Sequence, residues 1–261
     1  MTVQDAPPSG YFAAREKLLS FPTRDRELGF RDVRRAGWAL GGDPNDLSMF
    51  GLTPLFWYFC GIRMIGRTAV EMTRDLHADF IARSVAETLA PFGAIPDVID
   101  AFAGSGNLLF HVARALRAQR IVGLDATAEV MERTQRNFRR LRRLGKIGRS
   151  TVELYHRDWS AAPDYSAGRP TLFILAPPWG NAFSEKGLDL SKTSPPVLEI
   201  LDTLAKTIRG APTFALVQTH PLMIEQSVQA VRRAYDCFPS KYSTNPQIAS
   251  RVDYLLIRLS S

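Results

Sequence analysis

The chain has 261 residues, 45% of them hydrophobic and 23% charged, with a formal net charge of +7. This is ordinary globular composition, long enough for one α/β domain with an elaboration, and the positive balance permits a polyanionic partner without requiring one. Its two cysteines, Cys60 and Cys237, share no metal-ligand spacing, which argues against a disulfide framework or a zinc site and accords with a reducing compartment.

Residues 1–10 contain no basic region followed by an apolar run, and Pro7-Pro8-Ser9-Gly10 reads as a loose boundary. The most apolar stretch, residues 52–65, is too short for a bilayer and includes Arg63. The expectation is a cytoplasmic protein without a secretory signal or a membrane partner. From 11 to 74 the pattern is helical but interrupted, most clearly at Gly41-Gly42-Asp43-Pro44. This segment is rich in aromatics: Tyr11, Phe12, Phe21, Phe30, Trp38, Phe50, Phe56, Trp57, Tyr58 and Phe59. It reads as a helical N-terminal cap whose rings form an accessory core or the face of a homodimer.

At residue 75 the pattern settles. Leu76, Phe80, Ile81, Val85 and Leu89 recur at helical spacing until Pro91. Short apolar strands then alternate with helices. Strands are expected at 98–102, 121–124, 152–155, 171–175 and 214–217, and helices at 108–116, 128–144, 197–208 and 224–235. A final strand over 253–259 pairs with one near 238–242. Such alternation indicates an α/β protein: a mostly parallel, seven-stranded sheet with helices on both faces, occupying 75–261 behind a cap over 1–74.

Two segments carry chemistry. The first strand breaks into Asp100-Ala-Phe102-Ala-Gly104-Ser-Gly106-Asn107, where two glycines permit a sharp turn and close approach of a ligand. Asp125 ends the second strand, placed to accept hydrogen bonds from a ribose diol. A dinucleotide fingerprint needs a third glycine where Leu109 stands, and Asp100 suits a ligand bearing an ammonium group better than a pyrophosphate. The second segment, Ala176-Pro177-Pro178-Trp179-Gly180-Asn181, follows the fourth strand. Its prolines stiffen the loop and leave it presenting carbonyls, while Trp179 offers a stacking surface for a flat ring. Carbonyls that hold the hydrogens of an –NH₂ group direct its lone pair, so rate comes from positioning.

The D-x-x-x-G-x-G segment resembles the first motif of class I S-adenosylmethionine-dependent methyltransferases. The resemblance implies a Rossmann-like fold, S-adenosylmethionine as cofactor, and Asp100, Phe102, Gly104, Gly106, Asn107, Asp125 and Ala126 around it. It also implies that Asp158 accepts from the adenine amino group, with Trp159 beside the ring. The Pro-Pro-Trp loop resembles the (N/D/S)-P-P-(Y/F/W) signature of amino-directed methyltransferases and is closest to the trimethylguanosine synthase family, which methylates guanine N2 of RNA caps. Motif order supports the resemblance over 76–208. Ala176 departs from the signature by lacking a side-chain acceptor, and Asn181 replaces a second glycine. Ala176, Pro177, Pro178, Trp179 and Asn181 are the expected acceptor-binding set, with Asn181 supplying the missing polar contact.

Other candidates are weaker. Arg133, Arg136, Arg139, Arg140, Arg142, Arg143, Lys146 and Arg149 crowd 133–149, surrounding the helix more than striping it; they are a solvated face or a contact for RNA. Gln218 and His220 end the fifth strand at the same rim, and His220 is a candidate base. The expected reaction is methyl transfer to a nitrogen of a planar acceptor, an RNA guanine or nucleobase-like group first. A small-molecule N- or C-methyltransferase of specialised metabolism, and a non-catalytic RNA-binding protein with this fold, stay open.

Overall fold

Strands buried on both faces need helices on both sides, and a helical crossover between successive strands lets them run parallel. The computed structural model describes residues 10–166, 168–208, 210–220, 222–239 and 254–260. Four helices open it: α1 (Tyr11–Leu19), α2 (Phe30–Gly41), α3 (Pro54–Phe59) and α4 (Gly66–Glu71). There follow α5 (Asp75–Leu89), β1 (Asp97–Asp100), α6 (Asn107–Ala115), β2 (Arg120–Asp125), α7 (Ala128–Arg143), β3 (Thr151–His156) and β4 (Thr171–Leu175). The remainder is a small hairpin of β5 (Phe183–Ser184) and β6 (Gly187–Leu188), then α8 (Val197–Thr207), β7 (Thr213–Gln218), α9 (Glu225–Ala234), β8 (Asp236–Cys237) and β9 (Tyr254–Ser260).

Seven strands form one sheet in the order β3-β2-β1-β4-β7-β9-β8. The first five are mutually parallel, and β9 runs antiparallel to both β7 and β8. This is the expected Rossmann-like sheet. The chain builds outward from β1 through β2 to β3, then crosses back to β4, so the strand order reverses between β1 and β4. That switch point is where open α/β sheets leave a crevice.

Most boundaries lie within one residue of the sequence reading, and two differ by more. β1 stops at Asp100 instead of continuing to Phe102, because the Asp100 carboxylate accepts from the Phe102 N–H at 3.0 Å and bends the chain. The edge strand beside β9 lies at Asp236–Cys237; most of the expected 238–242 stretch, like Asp253 and residues 1–9, lies outside the described residues. The hairpin β5–β6 is too short to show a period in sequence.

Alternating side chains feed two cores. Val98, Ile121, Leu172, Ile174, Phe214 and Leu216 face one way, and Ile99, Val122, Phe173, Leu175, Ala215 and Val217 the other. The N-terminal extension shares the first core: its buried Val33, Leu40, Met49, Phe50 and Trp57 cluster with Leu108, Phe110 and Phe138. Phe50 is fully buried edge-on to Phe110 (5.4 Å) and Phe138 (5.9 Å), between α6 and α7. Among the described residues no helix is long and apolar enough to cross a membrane.

Asn107 ties these layers together at the first turn of α6. Its Oδ1 accepts from the Phe50 N–H at 2.6 Å, and its Nδ2 donates to the Thr73 carbonyl at 2.7 Å and to Asp75 Oδ1 at 3.1 Å. Asp75 also contacts His111 Nε2 at 2.8 Å and accepts from the Gly51 N–H at 2.9 Å. Replacing Asn107 with Ala leaves the buried Phe50 N–H and Thr73 carbonyl unpaired, at an expected cost of about 2–4 kcal/mol. Urea unfolding checks this; a loss below about 1 kcal/mol contradicts the anchoring role.

Candidate active site

Parallel pairing of Asp97–Asp100 with Thr171–Ile174 brings the ends of β1 and β4 to the same lip, and the Ala101 N–H donates to the Ile174 carbonyl at 3.1 Å. The glycine turn and the Pro-Pro-Trp loop therefore face one another across one cavity of about 410 Å³. Asp100, Phe102, Gly104, Asn107, Asp125, Ala126, Asp158, Trp159, Ala176, Pro177, Pro178 and Trp179 all line it.

The turn is held by hydrogen bonds that leave its inner surface open. Asp125 accepts from the Gly104 N–H at 3.1 Å through Oδ2 and from the Thr127 N–H at 2.8 Å through Oδ1. A carboxylate has about four lone-pair positions, so each oxygen retains one for a ligand hydroxyl. The Gly104 carbonyl accepts from Thr134 Oγ1 at 2.5 Å. Arg67, on α4, donates to Thr127 Oγ1 and to Glu71 Oε2, both at 2.7 Å, and all three side chains border the same end of the cavity.

The two glycines have different reasons. Gly104 has φ +50°, and a Cβ there would meet only the Phe102 carbonyl at 3.8 Å, so this position keeps the cavity face bare. Gly106 does not line the cavity; with φ +78°, its hypothetical Cβ would lie 2.5 Å from Phe138 Cε2. Its requirement is packing against α7, not ligand approach.

Asp100 is buried and faces the cavity. Burial pushes its carboxyl up to about 7, with the nearby Asp125 charge acting in the same direction and the Phe102 N–H opposing. It thus sits near the balance between acid and carboxylate at neutral pH. Phe102 and Trp159 stack at 6.5 Å with 20° between their planes, forming an aromatic wall. Asp158 is exposed at the rim and accepts from the Ser160 N–H at 3.0 Å, capping the turn that carries Trp159.

At the opposite end, Trp179 lies edge-on to Phe183 (5.4 Å) and His220 (5.7 Å). Asn181 corrects the sequence reading: it is exposed, on the short turn Gly180–Ala182, and does not line the cavity. Gln218 does, because Leu175 pairs with Val217 and the next residue of β7 stands beside Ala176. His220 lies behind Trp179, outside the lining; burial lowers its pKa to about 4, and its Nδ1 accepts from the Leu222 N–H at 3.0 Å. It is neutral with Nδ1 occupied, which makes it a poor base.

The sequence reading missed the third wall. Tyr11 and Arg15 of α1 reach the Trp179 end, where Arg15 Nη2 donates to the Gly180 carbonyl at 3.0 Å and its guanidinium stands 5.6 Å from the Phe183 ring centre. Residues 70–73 continue that wall towards Arg67. None of these carries a recognisable spacing; only the aromatic richness of the extension hinted at them.

No protein-family model and no curated protein matches the sequence. Solved structures with a similar chain path include a putative methyltransferase, yhhF, from Escherichia coli, at 18% identity and TM-score 0.44 over 69% of this chain and 84% of that one. Another is the methyltransferase domain of bacterial CtHen1, at 17% and 0.46 over 70% and 99%. Magnesium protoporphyrin IX methyltransferase from Synechocystis PCC 6803, with bound SAM, matches at 15% and 0.41 over 71% and 82%.

The glycine geometry separates packing from ligand access. Gly106→Ala is expected to cost about 2–4 kcal/mol, combining left-handed strain with overpacking against Phe138, and Gly104→Ala about 1–2 kcal/mol from strain alone. Urea unfolding of the two variants checks the order; equal losses contradict it.

Proposed function

We propose that the chain is an S-adenosylmethionine-dependent methyltransferase acting on a nitrogen of a planar, nucleobase-like acceptor, an RNA guanine being the favoured one. The observation that carries the reading is the single cavity in which the glycine turn, two carboxylates and the Pro-Pro-Trp loop meet. The residues present fit the cofactor. Asp100 is a buried, cavity-facing carboxyl suited to an ammonium group, Asp125 keeps lone pairs for a ribose diol, and Gly104 leaves its face bare. Phe102 and Trp159 offer flat apolar surface for a base, with Asp158 at its edge. When bound, S-adenosylmethionine supplies an electrophilic methyl group.

The remaining chemistry belongs to the chain. Trp179 stacks on the acceptor ring, and the backbone carbonyls of Ala176 and Pro177 hold the hydrogens of its amino group. Ala176 offers no side-chain oxygen; Gln218 Oε1, alongside it, is the side-chain acceptor in this reading. Holding both hydrogens turns the nitrogen lone pair towards the methyl donor, and such positioning accounts for the rate without a strong base. Neutral His220 fixes the Trp179 ring edge and takes no proton.

A compact acceptor is the second reading, favoured by one observation: Arg15 on α1 reaches across to the Gly180 carbonyl at the Trp179 end, beside Tyr11. A labelled-methyl screen over RNA and metabolite extracts separates the two. Calorimetry with S-adenosylmethionine tests the common premise, since absence of binding leaves only a non-catalytic protein.

Two further outcomes follow from the roles assigned. Trp179→Ala and Gln218→Ala should each lower methyl transfer by about 10- to 100-fold while S-adenosylmethionine affinity stays unchanged; parallel loss of cofactor binding contradicts the division of the cavity. Asp100 binds a proton below about pH 7, and an ammonium ligand needs the carboxylate. Cofactor affinity should therefore rise with pH up to about 7 and level off above. Calorimetry across this range checks it, and Asp100→Asn should flatten the profile.

A further inference from the structure

Away from the cavity, exposed rings and guanidinium groups crowd α2, α3 and α7. On α2, exposed Arg31, Arg34, Arg35 and Trp38 recur at helical spacing, while Val33, Ala36, Gly37 and Leu40 are buried. On α3, which packs against α2, Leu55, Phe56 and Phe59 are exposed while Pro54 and Trp57 are buried. Phe59 is 75% exposed, Trp38 64% and Phe56 63%. One exposed ring is unremarkable on a protein surface; three on adjoining helices are not.

Contacts run from one of these rings, Phe59, towards the basic helix. The Arg34 guanidinium lies 6.0 Å from the Phe30 ring centre, and Phe30 lies 6.0 Å from Phe59. Phe59 is 6.1 Å from Tyr58, whose ring has the Arg63 guanidinium 4.4 Å from its centre. Past Gly61 a groove opens between this edge and α7, lined by Arg63, Arg136, Arg139, Arg140 and Arg143, with Glu27 the one carboxylate among the described residues of the lining. Arg140 reaches Gly61 itself, where a Cβ would stand 3.2 Å from its Nε. The arginines of α7 thus do not merely encircle the helix. Met131, Thr134, Phe138 and Leu141 take its inner side, leaving positions 136, 140 and 143 as an outward stripe.

Charge decides what this face accepts. Glu27 pairs with Arg63 and Arg133, and Glu132 pairs with Arg136. Arg139, Arg140 and Arg143 have no carboxylate partner among the described residues. A second copy of the same face would set these cations against their own kind, which disfavours a homodimer through this face. Cations in a groove beside exposed rings match a chain of phosphates carrying unstacked bases. A duplex would satisfy the arginines but hide its base faces from the rings.

We propose that the outer face of α2, α3 and α7 is a docking surface for single-stranded RNA, phosphates in the arginine groove and bases on Phe56, Phe59 and Trp38. The proposal deepens the functional reading by naming the polymer that carries the acceptor, and rests on it only for the choice of RNA over DNA.

Fluorescence anisotropy of the full chain with labelled oligouridylate, titrated against potassium chloride, tests it. Affinity should fall steeply with salt. Replacing Arg139, Arg140 and Arg143 together by Glu should weaken binding by about 30-fold or more and flatten the salt slope. Phe56→Ala with Phe59→Ala should weaken it by about 5- to 50-fold and leave the slope unchanged. All of these positions are exposed, so thermal melts should match the unaltered protein. No binding at low salt, equal affinity for duplex RNA with the Phe variants neutral, or preference for phosphatidylserine vesicles over oligouridylate would each overturn the proposal. Cofactor calorimetry on the same samples keeps the readings apart: intact cofactor binding without RNA binding removes only the docking surface, and the reverse removes only the methyltransferase reading.

Discussion

The pairing of β1 with β4 is the constraint on which the site depends. Asp97–Asp100 run beside Thr171–Ile174 in parallel register at the point where strand order reverses. The two segments that leave these strands have no local reason to meet, being far apart in the chain. They meet because both strands end at the same level of one sheet, and no helix can fill the gap between crossovers that depart in opposite directions. The cavity is therefore a consequence of topology before it is a property of any side chain.

Around that gap the sheet supplies two walls and the N-terminal extension the third. Asn107, Asp75 and His111 join the start of α6 to the segments bearing Phe50, Gly51 and Thr73, so the glycine turn is braced from outside the sheet. Phe50 fills the space between α6 and α7 from the same side. The extension is thus not an appended domain with a separate core. Its inner residues complete the sheet's packing, α1 and α4 border the cavity, and the outer sides of α2 and α3 are left to solvent.

Asp100 and Asp125 illustrate how environment divides identical groups. Asp125 lines the cavity where the backbone offers it two N–H donors. Asp100, one strand over, is more deeply buried with a single backbone donor, and desolvation holds its carboxyl close to half-ionised at neutral pH. Burial and the number of backbone donors thus set two chemically identical groups apart. Burial acts in the opposite sense on His220, which it keeps neutral at neutral pH.

By itself the sequence determined the alternation of strands and helices, because short continuous apolar runs mark strands buried on both faces and period-3.6 patterns mark helices. It also determined the two loop motifs, since glycine and proline restrict or free the backbone locally. Nearly every residue singled out in those loops lines the cavity; Gly106 and Asn181 do not. Both exceptions have the same cause: a loop's composition says how the chain turns but not which way each residue faces afterwards. Only the tertiary structure decided that Gly106 serves α7 and that Gln218 stands where Asn181 was expected, because strand register sets these neighbours. The same holds for Tyr11, Arg15 and Arg67, whose place in the cavity follows from packing between segments far apart in sequence. The arginines of α7 were visible as a charge run, but which of them share a side became clear only once the buried face of the helix was fixed.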